Sequence, residues 1–133
     1  MRSKEDATNR HPVSLYRWGF AIALTAITYL ALAPQDFPAT EGVSDKLNHF
    51  AAFLTLSWLA DFSWPGSSFN LKKISALLGY GILLEIIQWT LPHRMFSLLD
   101  IGADLLGIAA YIGLVTLLKK IPSLKPRWRQ GSS

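Results

Sequence analysis

Between Glu85 and Asp104 the chain reads EIIQWTLPHRMFSLLDIGAD, which sets Glu85, Gln88, His93, Arg94, Ser97, Asp100 and Asp104 between two apolar runs. Carboxylates, an amide, an imidazole and a guanidinium are groups that move protons, orient polar ligands or hold anions. Asp45 and His49 add a further pair upstream. Asp45 with His49 and Asp100 with Asp104 are four apart, and Glu85 with Gln88 three apart, so each pair shares one face of a helix. Two carboxylates brought together in a low dielectric do not both ionise easily. Glu85 or Asp104 could therefore act as general acid or base, with His49 as the second titrating group. The same chemistry permits a divalent cation on Asp45, His49, Glu85, Asp100 and Asp104. Neither HExxH nor an EF-hand loop is present, so no cofactor is expected and the cation remains the weaker reading. There is no GxSxG elbow and no glycine-rich phosphate loop.

Each residue also has a plainer reading. Glu85 and Gln88 could be hydrogen-bonding glue between helices. His49 could be a satisfied histidine at a helix start, and Arg94 could face lipid phosphates. Asp100 suits a capping turn, and Asp61, near the end of its run, reads as a solvated acid. His93 and His11 read as exposed loop residues. The cluster is a stronger signal than any member, because ionisable groups inside a membrane are costly unless they satisfy one another or serve a function.

The elements that must position these groups are apolar runs of bilayer length. Half of the 133 residues are apolar and 17% are charged, with the charges gathered in short patches. The first run, Leu15 to Ala33, is broken only by Arg17; about 19 residues span about 28 Å as a helix, close to the hydrocarbon thickness. Ala31-Leu32-Ala33 resembles a signal-peptidase site, but the run is long for a signal and Pro34 follows the would-be cut. Pro34 to Ser44 reads as a loop, with Ser44 as a helix cap. The second run, Leu47 to Trp64, has a short uninterrupted core that a tilted or re-entrant helix would suit. The third, Ile74 to Leu91, follows a turn over Pro65 to Lys73. Ser97 and Asp100 read as the start of a fourth helix that runs to Leu118.

These runs predict an all-α protein, an integral membrane bundle of four transmembrane helices. Residues 14–118 form the bundle, 1–13 a disordered tail and 119–133 a basic tail. Most Lys and Arg lie in the tails and the second loop, and only Lys46 and Arg94 in the first and third loops. The positive-inside rule then makes both termini cytoplasmic. Trp18 and Trp64 fall near the inner interface and Trp89 near the outer. Small residues four apart, Ser75 with Gly79, Ala103 with Gly107 and Ala109 with Gly113, would let helices approach closely. The net charge of +4 flanks apolar runs instead of forming a stripe, which argues against nucleic acid. The absence of cysteine excludes a disulfide framework and thiolate metal sites. In this topology Asp45 and His49 open helix two, Glu85 and Gln88 close helix three, and Asp100 and Asp104 open helix four, all toward the outer leaflet.

At these residues the chain resembles the VanZ-like family of small membrane proteins. The matching elements are Asp45-Lys46-Leu47-Asn48-His49-Phe50, Glu85-x-x-Gln88, Arg94, Ser97, Asp100 and Asp104-x-x-Gly107. They cover the last three spans, from about Ser44 to Gly113. The family usually has asparagine where this chain has Asp104, which adds a carboxylate. The resemblance implies a setting, low-level resistance to glycopeptides of the teicoplanin type, more than a mechanism.

Together these readings point to a multi-pass protein of a bacterial inner membrane that acts on or binds an amphiphilic envelope component at the outer leaflet. Its partners would be membrane lipids or a lipid-linked component. Whether it is an enzyme stays open, as does its oligomeric state. Arg94 would hold an anionic head group, and Glu85, His49 and Asp104 would be the proton-transfer candidates. Gln88, Asp45, Ser97 and Asp100 would bind or orient. The alternative is a non-enzymatic module whose buried polar network serves packing or a partner. A proton- or ion-coupled carrier is disfavoured because no polar residues continue the path into the cytoplasmic half.

Overall fold

The computed structural model describes residues 10–34, 43–92 and 94–123. Among them are four helices and no strand: α1 Arg10–Leu32, α2 Val43–Ser63, α3 Leu71–Trp89 and α4 Leu98–Leu118. Most of both expected tails, residues 1–9 and 124–133, lies outside the described residues, as do residues 35–42 of the first loop. Helix α1 begins at Arg10, inside the expected tail. Ser44 is the second residue of α2, not its cap, and α2 is one unbroken helix.

The starts of α3 and α4 follow from local chemistry. Asn70 holds extended backbone and its side chain accepts from the Lys73 N–H, so α3 begins three residues before the expected Ile74. Ser97 does the same for α4, accepting from the Asp100 N–H. Both supply an oxygen to a first-turn N–H that has no partner within the helix.

Contacts along the chain fix the directions. Arg17, early in α1, reaches the Ser63 carbonyl at the end of α2, and Gln88, late in α3, reaches Ala31 at the end of α1. His49 and Asp61 of α2 meet Asp104 and Tyr111 of α4 in the same order. Thus α2 and α4 run parallel, with α1 and α3 opposed to them. Helix α2 packs against the other three. The core is Phe53, Leu56, Ala60, Leu77 and Ile108, with Phe20, Ala23, Leu24 and Ile27 of α1 laid against it.

Of the three small-residue pairs, one sits at a tight contact. A Cβ on Gly107 would lie 2.5 Å from the Phe50 carbonyl oxygen and 3.0 Å from the Leu54 nitrogen, so α4 meets the α2 backbone there. Gly79 and Gly113 face open space. The helix-packing glycine missing from the sequence reading is Gly81, where a Cβ would lie 2.6 Å from Asp104 Oδ2 and 2.9 Å from Phe53 Cζ.

Two helical stretches, Val13–Leu32 and Leu98–Leu118, are long and apolar enough to cross a membrane. Helices α2 and α3, of 21 and 19 residues, match that length but carry charged residues.

Candidate functional site

The end of the bundle where α1 and α3 finish and α2 and α4 begin carries the predicted polar residues. His49 Nδ1 lies 2.8 Å from Asp104 Oδ1, and its Nε2 lies 3.8 Å from Asp100 Oδ2. Asp104 is 99% buried, since its relative exposure is 1%. An ionised Asp104 can only accept, so Nδ1 carries the proton and the ring is fixed in orientation. Gly81 makes this placement possible, because a side chain there would occupy the space of Asp104 Oδ2.

Two fixed cations face the acids. Lys46 Nζ is 3.4 Å from Asp100 Oδ1, and Arg94 Nη1 is 3.8 Å from Asp45 Oδ1. Arg94 Nη2 also approaches the Ala31 carbonyl at 3.5 Å, to which Gln88 Nε2 donates at 2.9 Å. Sequence reasoning kept α1 out of the site, yet its last carbonyls are where Gln88 and Arg94 converge. The signal was available in principle, since the end of a helix leaves carbonyls in need of donors. The sequence places Lys46 in the first loop, whereas the structure puts it in the first turn of α2.

Glu85 takes a different place from the one expected. Its Oε1 accepts the Ser97 N–H at 2.6 Å, and the side chain is buried. A carboxylate is stabilised at a helix N-terminus by free N–H groups and the dipole, so Glu85 joins α3 to the start of α4. Its hydrogen bond goes there and not to His49 or Asp104. Ser97 spends its oxygen on the Asp100 N–H at 3.3 Å and acts as a cap. The structure thus brings His49, Asp104, Asp100, Asp45, Lys46 and Arg94 together, with Gln88 beside Arg94, and turns Glu85 and Ser97 to helix capping. His93 and the side chain of His11 lie outside the described residues.

A cavity of about 340 Å³ opens beside this cluster. Asp45, Asn48, His49, Gln88 and Arg94 line its polar part, and Ile27, Leu30, Ala51, Ala52, Phe53 and Leu84 its apolar part. Helices α1, α2 and α3 all contribute.

The opposite end holds a second polar cluster, and it corrects the reading of Asp61 as a solvated acid. Asp61 is 3% exposed. Its Oδ2 accepts from the Tyr111 hydroxyl at 2.5 Å and its Oδ1 lies 3.5 Å from Lys73 Nζ. Lys73 also donates to the Trp64 and Ser67 carbonyls, both at 2.9 Å, tying down the α2–α3 turn. Arg17 donates to the Ser63 carbonyl at 3.0 Å and lies over the Trp64 ring at 5.9 Å. That half of the bundle is therefore not free of polar groups. Phe53, Leu56, Leu77 and Ile108 belong to the apolar core, where Ser57 is also buried and against which the Thr28 and Tyr80 hydroxyls pair at 2.6 Å.

Comparison with known proteins adds little to this geometry. No family model matches the chain, and no solved structure matches it. An uncharacterized protein of Schizosaccharomyces pombe is 31% identical over 105 residues, covering 76% of this chain and 62% of the yeast protein. The chain thus spans less than two thirds of that relative's length.

Proposed function

We propose that the chain is a four-span, VanZ-like protein of a bacterial inner membrane with both termini cytoplasmic. The cavity beside His49 and Arg94 receives an anionic amphiphile of the cell envelope from the outer leaflet. Burial supports the membrane reading. Leu15, Ile22 and Leu30 of α1, Leu83 and Ile86 of α3, and Leu106, Leu114 and Leu117 of α4 are exposed, while Asp61, Glu85, Asp100 and Asp104 are buried. A water-soluble fold rarely leaves so much apolar surface outside while keeping its acids inside. Lipid would cover those faces.

The observation that carries the binding reading is the cavity itself. It is apolar along Ile27, Leu30, Ala51 and Ala52 and polar at Arg94, Gln88 and His49, as an amphiphile requires. Arg94 has five N–H donors, and its side-chain contacts to the described residues Ala31 and Asp45 are long, at 3.5 and 3.8 Å. A phosphate or carboxylate can therefore be held by shorter charge-assisted bonds. Binding alone would suffice to shield a lipid-anchored target and so give resistance of the teicoplanin type. Any proton transfer would fall to the His49–Asp104 pair.

The test is mass spectrometry of lipids retained by purified protein. Wild type should hold one class of anionic lipid. Arg94→Gln should lower its occupancy about tenfold or more, the value of one lost charged hydrogen bond, and Ala51→Phe should exclude it by filling the cavity. Retention of the same lipids by both variants would refute the reading.

A second reading has its own support, because Gln88 to Ala31, Glu85 to Ser97 and His49 to Asp104 each join different helices. Such a network could exist to fix helix register alone. It predicts lower thermal stability for Gln88→Ala and Glu85→Ala with no lipid specificity in the wild type.

A further inference from the structure

We infer that Asp45, His49 and Asp100 form a binding site for one divalent transition-metal ion, of the zinc or manganese kind, at the mouth of the cavity. Each of the three can offer one ligand atom, and these atoms lie within 4.8 Å of one another. Two ligands about 2.1 Å from a shared ion are at most about 4.2 Å apart. The widest pair must therefore close by at most about 0.6 Å, which a side-chain torsion supplies. Asp45 and His49 are one helical turn apart on α2, the spacing by which a helix presents two ligands to one ion. Asp100 comes from the first turn of α4, so the ion would bridge two helices.

Two observations point to a cation beyond the clustering of acids. The first is His49. If the ring is neutral and gives its Nδ1–H to Asp104, its lone pair is on Nε2, and that nitrogen faces Asp100 Oδ2 at 3.8 Å, too far to hydrogen-bond. An acceptor turned toward an acceptor is unfavourable unless a cation or a proton stands between them. A histidine backed by a carboxylate is also the usual arrangement behind a metal-bound imidazole, with Asp104 as the orienting group. The second is charge. Among the described residues at this end, Asp45, Glu85, Asp100 and Asp104 face the cations Lys46 and Arg94, so with all four acids ionised and His49 neutral the acids exceed the cations by two. Glu85, Asp100 and Asp104 are buried, and uncompensated buried charge is costly. One divalent ion removes the excess.

The donors choose the metal. One imidazole and two carboxylates, without thiolate, suit zinc or manganese better than calcium, which takes oxygen ligands alone. Asp45 and His49 line the cavity, so the remaining positions on the ion face it. There the ion would share an anionic oxygen of the bound amphiphile with Arg94. That final step rests on the proposed function; the metal site does not.

The test is equilibrium dialysis of detergent-purified, chelator-stripped protein against zinc, manganese and cobalt, with the bound ion counted by elemental analysis. One ion per chain is expected, and cobalt should show the visible bands of nitrogen and oxygen ligation. His49→Ala and Asp100→Asn should each weaken binding at least tenfold. Asp104→Asn should weaken it about 10–100-fold while keeping the ligands. Asp61→Asn, at the far end, should leave it unchanged. Asp45→Asn tests the site at its more open edge if the buried changes unfold the protein. Absence of stoichiometric ion in folded wild type would overturn the inference, as would unchanged affinity in Asp45→Asn. A His49 ring found doubly protonated by nitrogen NMR would overturn it too, making the imidazole a charged bridge between two aspartates. No lipid enters this assay, so metal binding without lipid retention, or the reverse, tells which of the two proposals fails.

Discussion

Asp104 shows how closely single residues are matched at this site. It takes the His49 N–H and rests against Gly81, where even a methyl group would lie 2.6 Å from its oxygen. Gly81→Ala should therefore destabilise the protein by about 1–3 kcal/mol through overpacking, read as a fall in the midpoint of thermal unfolding in detergent. An unchanged midpoint would mean that Asp104 has room the structure denies it. Replacing Asp104 by leucine should cost about 1–3 kcal/mol, because it leaves the half-buried His49 ring without its hydrogen-bond partner. Asp104→Asn, the residue usual in the VanZ-like family, should cost much less, since its amide oxygen can still accept from Nδ1. That His49 and Asp104 share a level was legible, because each lies six residues, under two turns, past the start of its helix and the topology sets the two helix starts at one end. Gly81 was not, because a glycine in an apolar run gives no hint of what packs against it until the neighbouring helices are known.

Helix ends account for most of what the sequence misplaced. Glu85 reads either as a proton-transfer group or as glue between helices; a helix start lies within reach, and the Ser97 N–H there takes its carboxylate. Ser97, with its N-cap signature, was legible as a helix start, and Ser97→Ala should cost about 1 kcal/mol in thermal unfolding. The C-terminus of α1 depends on Gln88 and Arg94, which donate to Ala31. Gln88→Ala should raise hydrogen–deuterium exchange over residues 28–33 and leave exchange in α4 unchanged. A uniform rise would indicate general unfolding and not a loosened α1. At the other end, Asp61 finds Tyr111, 50 residues on, and Lys73. Neither partner is announced by periodicity, which reports the face of a helix but not what faces it. Tyr111→Phe removes one donor to a buried carboxylate and should cost about 1–3 kcal/mol, checked by the same melting measurement.

At the scale of the whole molecule the fold was largely legible, since apolar runs of bilayer length fix the number of helices and their ends to within two residues, while α1, α2 and α3 start three to five residues before the apolar runs do. The all-helical architecture and the gathering of α2, α3 and α4 groups at one end follow from run length and alternating direction alone. Side of the membrane is a separate matter, because it rests on where Lys and Arg lie and on no contact within the bundle. The account as a whole requires that the cavity face the cell exterior and stand open to it. Asn48 lines that cavity and is exposed, while Ser68 lies in the α2–α3 turn, and the chain has no native cysteine to interfere. The measurement is labelling of single cysteines at these two positions in intact spheroplasts with a membrane-impermeant maleimide. The account predicts that Asn48→Cys labels from outside, that added amphiphile protects it, and that Ser68→Cys labels only after permeabilisation. Labelling of Ser68→Cys from outside, with Asn48→Cys reached only after permeabilisation, would contradict it.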